Sequence, residues 1–335
     1  MKNVSILVPE TAVIEAVADP HYMLRAVNEF LQASGKEPLF ELQLVGLTKA
    51  VKLNNGLFTV HVDKLLDEVE RTDLIFIPAI SGDIETALEL NKGFIPWIVQ
   101  RHHQGSEVAS LCIGAFLLAS TGLLNGKKCS THWNAADQFR NLFPEVELVD
   151  GRVITEEQGI YSSGGANSYW SLLLHLVEKY TDRPTAILAS KYFVVDIDKY
   201  TQSPFAIFKG QKEHNDEAVR DVQDFIEKNI EQKLTVDELA GKVAVGRRSL
   251  ERRFKRATHN SVLTYIQRVK VEAAKRSFES SRKNISEVMY DVGYTDTKAF
   301  RTTFKRITGL TPIEYRNKYN KLSKKNTPAA DFSFN

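Results

Sequence analysis

Arg247-Arg248-Ser249-Leu250-Glu251-Arg252-Arg253-Phe254-Lys255-Arg256 and, at an offset of 50 residues, Thr297-Lys298-Ala299-Phe300-Arg301-Thr302-Thr303-Phe304-Lys305-Arg306 decide the fold of the second half of this chain. The ending Phe-Lys-Arg is common to both. At the same offset Gly246 answers Asp296, Leu250 answers Phe300, Thr258 answers Thr308, Ser261 answers Thr311 and Tyr265 answers Tyr315. Matches held in one register over such a length indicate a duplicated supersecondary unit.

Each copy reads as two helices around a tight turn. In the first, Thr235 is the expected N-cap and Glu238 completes a capping box. Val236, Leu239, Ala240 and Val243 form its apolar stripe, and the turn falls around Ala244-Val245-Gly246. A second helix follows from about Arg247 to Ala257. Its apolar Leu250 and Phe254 stand at i, i+4, which leaves Arg247, Arg248, Ser249, Glu251, Arg252 and Lys255 on other faces. In the second copy Ser286 is expected to cap a helix carrying Val288, Met289 and Val292. Gly293 permits a left-handed turn, and Asp296 caps a helix with Phe300 and Phe304 inward. Thr297, Lys298, Arg301, Thr302 and Lys305 then face outward. One such helix alone would pass as an ordinary solvated basic helix. Two in register fit recognition helices, whose Arg and Lys meet guanine edges or phosphates and whose Ser and Thr meet base or backbone.

Charge agrees with that division. Residues 1–210 hold 18 Lys and Arg against 25 Asp and Glu, a net of −7, whereas residues 211–335 hold 26 against 17, a net of +9. A chain of which only one half approaches a polyanion needs this asymmetry. At 335 residues it is too long for one ordinary core. Lys2 is followed almost at once by strand-like Val4 to Val8 rather than by a signal-peptide pattern, and no apolar run approaches the ~20 residues of a membrane span. Two cysteines, Cys112 and Cys129, are too few for a disulfide framework, so reduced thiols and a cytoplasmic address are expected.

From about Val219 to Tyr319 the chain resembles the DNA-binding domain of the AraC/XylS family of bacterial regulators. The carrying stretches are Leu239-Ala240, Arg247 to Lys255, Asp291-Val292-Gly293-Tyr294, Phe300 to Lys305, and Gly309-Leu310-Thr311-Pro312-Ile313-Glu314-Tyr315-Arg316. Two departures lie in the first copy: Gly246 stands where the family usually has a serine cap, and His259 and Val262 stand where Gly and Pro are usual. The resemblance implies that Ile266 to Ser280 is a long helix between the two units. It also implies that the two recognition helices enter successive major grooves of double-stranded DNA, roughly 34 Å apart. RNA polymerase is a further partner that such a regulator implies.

The acidic half alternates strand-like runs (Val4–Val8, Leu42–Leu47, Leu74–Pro78, Glu107–Leu111, Gly159–Ser162) with helical patterns, which predicts a mostly parallel, helix-covered α/β sheet. Ligands of such sheets sit at the carboxyl ends of the strands. Glu107 to Leu118 reads as a strand ending on Cys112, then a small residue and a helix. That pattern is a nucleophile elbow, with a helix N-terminus expected to lower the thiol pKa. The alternative is a buried small hydrophobe, the usual state of a free cysteine.

Residues 1–204 resemble PfpI-like members of the class I glutamine amidotransferase-like superfamily, in the GlxA-like branch fused to AraC-type domains. The resemblance rests on Cys112-Ile113-Gly114, Thr121 to Gly126, Ser130-Thr131-His132-Trp133, Ser162-Ser163-Gly164-Gly165 and Gln202-Ser203-Pro204-Phe205. It implies a flavodoxin-like fold and pairing of two copies through this domain. His132 is the candidate base, although beside Trp133 it also reads as a hydrogen-bonded structural histidine. The superfamily's glutamate should fall near Ala12, where no carboxylate stands; Glu10 and Glu15 are displaced. The Gly-Gly loop after the third strand is absent, since Pro78 is followed by Ala79-Ile80.

The expected domain is therefore a catalytically retired one without a cofactor, binding a small effector among Cys112, Ile113, His132, Trp133, Ser163 and Gly164, with Glu15 and Ser81 nearby. Trp133, Trp170 and Phe116 could cage a cationic group or simply fill the core. Residues 1–204 are thus expected to sense a ligand, 205–218 to link, 219–320 to bind DNA and 321–335 to form a flexible tail. The competing reading is a thiol-dependent amidohydrolase or glyoxal-handling enzyme with an accessory DNA-binding domain, which needs a reactive Cys112.

Overall fold

The computed structural model describes residues 1–197, 201–212 and 214–320, so the expected tail from Lys321 lies outside the described residues. The chain divides into two compact units, Met1–Gln202 and Ser203–Asn335.

In the first unit the strands β1 (Lys2–Leu7), β2 (Phe40–Gly46), β5 (Lys64–Leu65), β6 (Leu74–Ile77), β7 (Glu107–Leu111), β10 (Ile154–Glu157) and β11 (Ile160–Ser163) form a sheet in the order β10-β11-β7-β6-β1-β2-β5. All neighbours pair in parallel except β10 with β11. Short pairs are added by β3 (Ala50–Leu53) with β4 (Phe58–His61) and by β8 (Lys128–Cys129) with β9 (Glu147–Leu148). The helices are α1 (Ile14–Ala33), α2 (Ile84–Asn91), α3 (Phe94–His103), α4 (Ala115–Ser120), α5 (Ala136–Leu142), α6 (Tyr169–Tyr180) and α7 (Arg183–Phe193).

Alternation along the strands explains the layering. Val4, Ile6, Leu74, Phe76, Ala109 and Leu111 pack with α1, α6 and α7 on one face; Leu7, Ile75, Ile77 and Val108 pack with α2 to α5 on the other. With both faces covered, the central strand β6, Leu74-Ile75-Phe76-Ile77, is apolar throughout. The flavodoxin-like α/β arrangement expected from the sequence is thus present, and the carboxyl end of β7 delivers Cys112.

The second unit is helical: α8 (Glu217–Lys228), α9 (Val236–Lys242), α10 (Arg247–Thr258), α11 (Val262–Ser280), α12 (Ile285–Asp291), α13 (Thr297–Thr308) and α14 (Pro312–Tyr319). Helix α11 serves two cores. Its Val262, Tyr265 and Ile266 join Val219, Leu239, Leu250 and Phe254, while its Val271, Ala274 and Phe278 join Val288, Met289, Phe300, Phe304 and Tyr315.

Three sequence expectations need correction here. The long helix begins at Val262 rather than Ile266, because Ser261 caps it by accepting from the Thr264 N–H. The cap of α12 is Asn284 rather than Ser286; Asn284 Oδ1 accepts from the Ser286 and Glu287 N–H groups, and Glu287 closes the capping box. The polar stretch after Phe205 is fastened to α11, because it carries an aromatic anchor among its polar residues. The Phe208 ring packs edge-on to Tyr265, its N–H donates to Glu272 Oε2 at 3.2 Å, and Lys275 Nζ donates to the Ala206 carbonyl at 2.6 Å.

Candidate nucleic-acid interface and effector site

Helices α10 and α13 are each seated by two fully buried side chains, Leu250 with Phe254 and Phe300 with Phe304. Arg247, Arg248, Glu251, Arg252 and Lys255 on α10 are exposed and Ser249 is half-buried; Thr297, Lys298, Arg301, Thr302 and Lys305 on α13 are exposed. The two faces differ in how far their charges are already matched. Arg247 donates to Asp237 at 3.0 Å and to Glu251 at 3.3 Å, and Lys255 Nζ donates to the His259 carbonyl at 2.8 Å. Arg253 is spent on Asp216, the N-cap of α8, through two bonds of 2.8 and 2.5 Å. Lys298 and Arg301 form no ion pair among the described residues.

Both turns preceding these helices are closed by the same paired bonds, in which two consecutive N–H groups reach back to the end of the preceding helix. In the first, Ala244 and Val245 donate to Gly241 and Ala240; in the second, Gly293 and Tyr294 donate to Tyr290 and Met289. The left-handed residue is Ala244 (φ 52°) in one and Gly293 (φ 70°) in the other. Gly246 opens α10 with no side-chain cap, whereas Asp296 Oδ1 accepts from the Ala299 N–H at 2.9 Å. The units are tied together by Lys270 of α11. It is buried, which holds its pKa below the usual lysine range, and it donates to the Gln232 carbonyl at 2.9 Å while lying 3.5 Å from the Gly293 carbonyl.

At the other candidate site, Cys112 follows the end of β7 with φ 55°, and one tight turn, Cys112–Gly114, leads into α4. Gly114 makes this bend possible, since a Cβ there would lie 2.4 Å from the Pro78 carbonyl oxygen. The elbow geometry exists, but its electrostatics reverse the expectation. Cys112 is 4 % exposed, and burial pushes its thiol up to about 12. Loss of solvation here outweighs any help from the short helix beyond.

His132 serves as a cap, accepting from the Asn134 N–H through Nδ1 at 3.1 Å, and its ring leans on Trp133. No hydrogen bond joins it to Cys112 among the described residues. Its burial lowers its pKa and favours the neutral ring.

The remaining expected residues separate into two groups. Ser163 lies against the elbow, its Oγ 3.4 Å from the Cys112 nitrogen, Gly164 lies against Thr131 and Gln202, and half-buried Ile113 packs into both cores. Glu15 and Ser81 are exposed, and Ser81 Oγ donates to the Thr11 carbonyl at 3.0 Å. Sequence reasoning missed Asp19, one helical turn beyond Glu15. It is half-buried, accepts from Tyr169 Oη at 2.7 Å, and burial raises its pKa. Thr131, whose hydroxyl donates to the Cys112 carbonyl at 3.1 Å, and Gln202 were read as members of matched motifs but not as site residues.

Comparison with known proteins agrees with this division. Residues 239–318 match the helix-turn-helix domain family and residues 21–179 match the DJ-1/PfpI family. The chain is similar to the HTH-type transcriptional regulator GbdR of Pseudomonas aeruginosa, 24% identical over 317 residues, covering 94% of this chain and 84% of that one. It is also similar to the HTH-type transcriptional regulator GlxA of Rhizobium meliloti, 24% identical over 218 residues, covering 64% and 66%. Among solved structures, a putative transcriptional regulator protein from Vibrio parahaemolyticus shares the fold over 57% of this chain and 98% of its own, with a TM-score of 0.51 and 24% identity. The chain is a DNA-binding transcriptional regulator of the helix-turn-helix class. More particularly, it joins a DJ-1/PfpI-family domain to an AraC-type helix-turn-helix domain.

Proposed function

We propose that this regulator binds a small effector beside Cys112 without chemistry there, and reads operator DNA with α10 and α13. The observation that carries this reading is the pair of cationic helices seated at opposite ends of α11. Arg248, Arg252, Lys298, Arg301 and Lys305 supply the charge, and Ser249, Thr297 and Thr302 supply hydroxyls. The effector residues are Cys112, Ile113, His132, Trp133, Ser163 and Gly164, to which we add Asp19. Its carboxylate, held by Tyr169 and close to Trp170, favours an effector with a cationic group. Two copies pair through the first unit in this reading. The protein works in the cytoplasm, with RNA polymerase as a second partner where the operator lies beside a promoter.

Support for a non-catalytic Cys112 comes from its burial, its raised pKa and the use of His132 as a cap. The thiol should resist iodoacetamide in the folded protein at neutral pH and react only as pH climbs toward about 12. Rapid alkylation at pH 7, with a turnover abolished by Cys112→Ser, would establish the enzyme reading instead. For DNA binding, affinity for a selected duplex should fall steeply with salt. It should also shift with whichever of the amino acids, amines and betaines raises the melting temperature most. Operator affinity and transcription output indifferent to every such compound would remove the effector from the proposal.

A further inference from the structure

Gln202 is the last residue of the first unit, and the second unit begins at the next peptide bond. Its side chain is 3 % exposed and fully engaged. Nε2 donates to the Thr131 carbonyl at 2.9 Å and to the Arg152 carbonyl at 3.1 Å, while Oε1 accepts from the Trp133 N–H at 3.3 Å. Its own N–H donates to the Gly151 carbonyl at 2.8 Å. The amide also lies against the loop after β11, since a Cβ on Gly164 would meet Nε2 at 2.2 Å. Thr131 passes the connection on, donating its hydroxyl to the Cys112 carbonyl. Ser163 reaches the Cys112 nitrogen from the other side.

Three loops therefore meet on Gln202: Thr131–Trp133 and Gly151–Arg152 by hydrogen bonds and Ser163–Gly165 by close packing, with the elbow joined through the Thr131 hydroxyl. A buried primary amide with both N–H groups and its carbonyl satisfied has one comfortable position, because each bond it loses leaves a polar group stranded away from water. Displacing any of these loops strains the bonds that hold Gln202, and its backbone is joined to Ser203, where the second unit begins.

We propose that Gln202 is the positioning residue that couples the effector site to the DNA-binding unit. The inference rests on the reading that the first unit senses an effector, and it specifies the covalent neighbour through which that sensing leaves the unit. Thermodynamic coupling is reciprocal, so the DNA itself can serve as the probe at the far end.

The test uses the full chain and a duplex selected with it. Hydrogen exchange of the Trp133 and Gln202 amides is followed with and without saturating duplex, in the unaltered protein and in Gln202→Met. Both amides should change protection on DNA binding in the unaltered protein, and the response at Trp133 should vanish in Gln202→Met. A cycle supplies the second readout. Thr131→Val, which cuts the link to Cys112, should change duplex affinity about fivefold or more, in line with ordinary coupling strengths. It should do so only when Gln202 is present. No change at either amide, or equal effects of Thr131→Val in both backgrounds, would overturn the proposal. If Gln202→Met does not fold, the exchange comparison in the unaltered protein still decides it. A chain that selects no duplex at all sinks the regulator reading itself, and this inference with it.

Discussion

The two helix-turn-helix units descend from one pattern, yet they reach the same turn by different means. In the second, glycine takes the left-handed position and aspartate caps the recognition helix. In the first, alanine occupies the left-handed position and glycine stands at the cap, so the turn is strained where it should relax and bare where it should bond. The exits differ likewise: His259 (φ 56°) ends α10 where Gly309 (φ 76°) ends α13. On the charged faces Arg247 is paired with Asp237 and Glu251, whereas Lys298 and Arg301, like Arg248 and Arg252 of α10, form no ion pair among the described residues. The second unit thus has the better-formed turn and cap, and Lys270 of the shared helix α11 touches both, through the Gln232 and Gly293 carbonyls.

Breaking the better turn should have the largest effect. Gly293→Ala adds a Cβ at positive φ that would sit 2.3 Å from the Glu231 carbonyl oxygen, so strain and overpacking combine. A loss of about 2–5 kcal/mol is expected, measured by thermal or urea unfolding. A change within error would mean that the turn relaxes freely, and the contrast between the units would dissolve.

Next comes DNA affinity. Arg301→Ala should weaken specific binding by roughly 1–3 kcal/mol, and Arg248→Ala by a similar amount if it reads a base. Arg247→Ala should cost less than either, because its guanidinium is already paired. Fluorescence anisotropy on one duplex ranks the three, and Arg247 emerging as the largest would invert the assignment of the stronger reader. Smaller still, Ala244→Gly should stabilise the first unit by about 1 kcal/mol by removing left-handed strain. Gly246→Asp should add only a few tenths of a kcal/mol, since glycine is itself a tolerable cap. If neither raises the melting temperature, the weakness of the first unit lies elsewhere.

What was legible in the sequence was local. Leu250 with Phe254 and Phe300 with Phe304 stand one helical turn apart, and Thr235, Glu238 and Asp296 carry their caps within three residues. The cap of α12 was misplaced because the repeat is not uniform. Recognition helices are offset by 50 residues, but their preceding helices, Val236–Lys242 and Ile285–Asp291, are offset by 49. The second turn is one residue longer, and no single register could reveal it. The thiol was misjudged for another reason. A strand-turn-helix pattern fixes where Cys112 lies but not how much is packed over it, and packing decided its pKa. The role of Asp19, and of Gln202 beyond its place in a matched motif, was hidden because their partners are far along the chain, Tyr169 for one and Thr131, Trp133 and Arg152 for the other.

Gly293 also bears on how this chain can change over generations. Any single-base substitution in a glycine codon that alters the encoded residue installs a side chain, and at this position every side chain meets the Glu231 carbonyl. Lineages can therefore wander at Ala244, where a step to glycine relieves the backbone, but point mutation offers position 293 no viable exit.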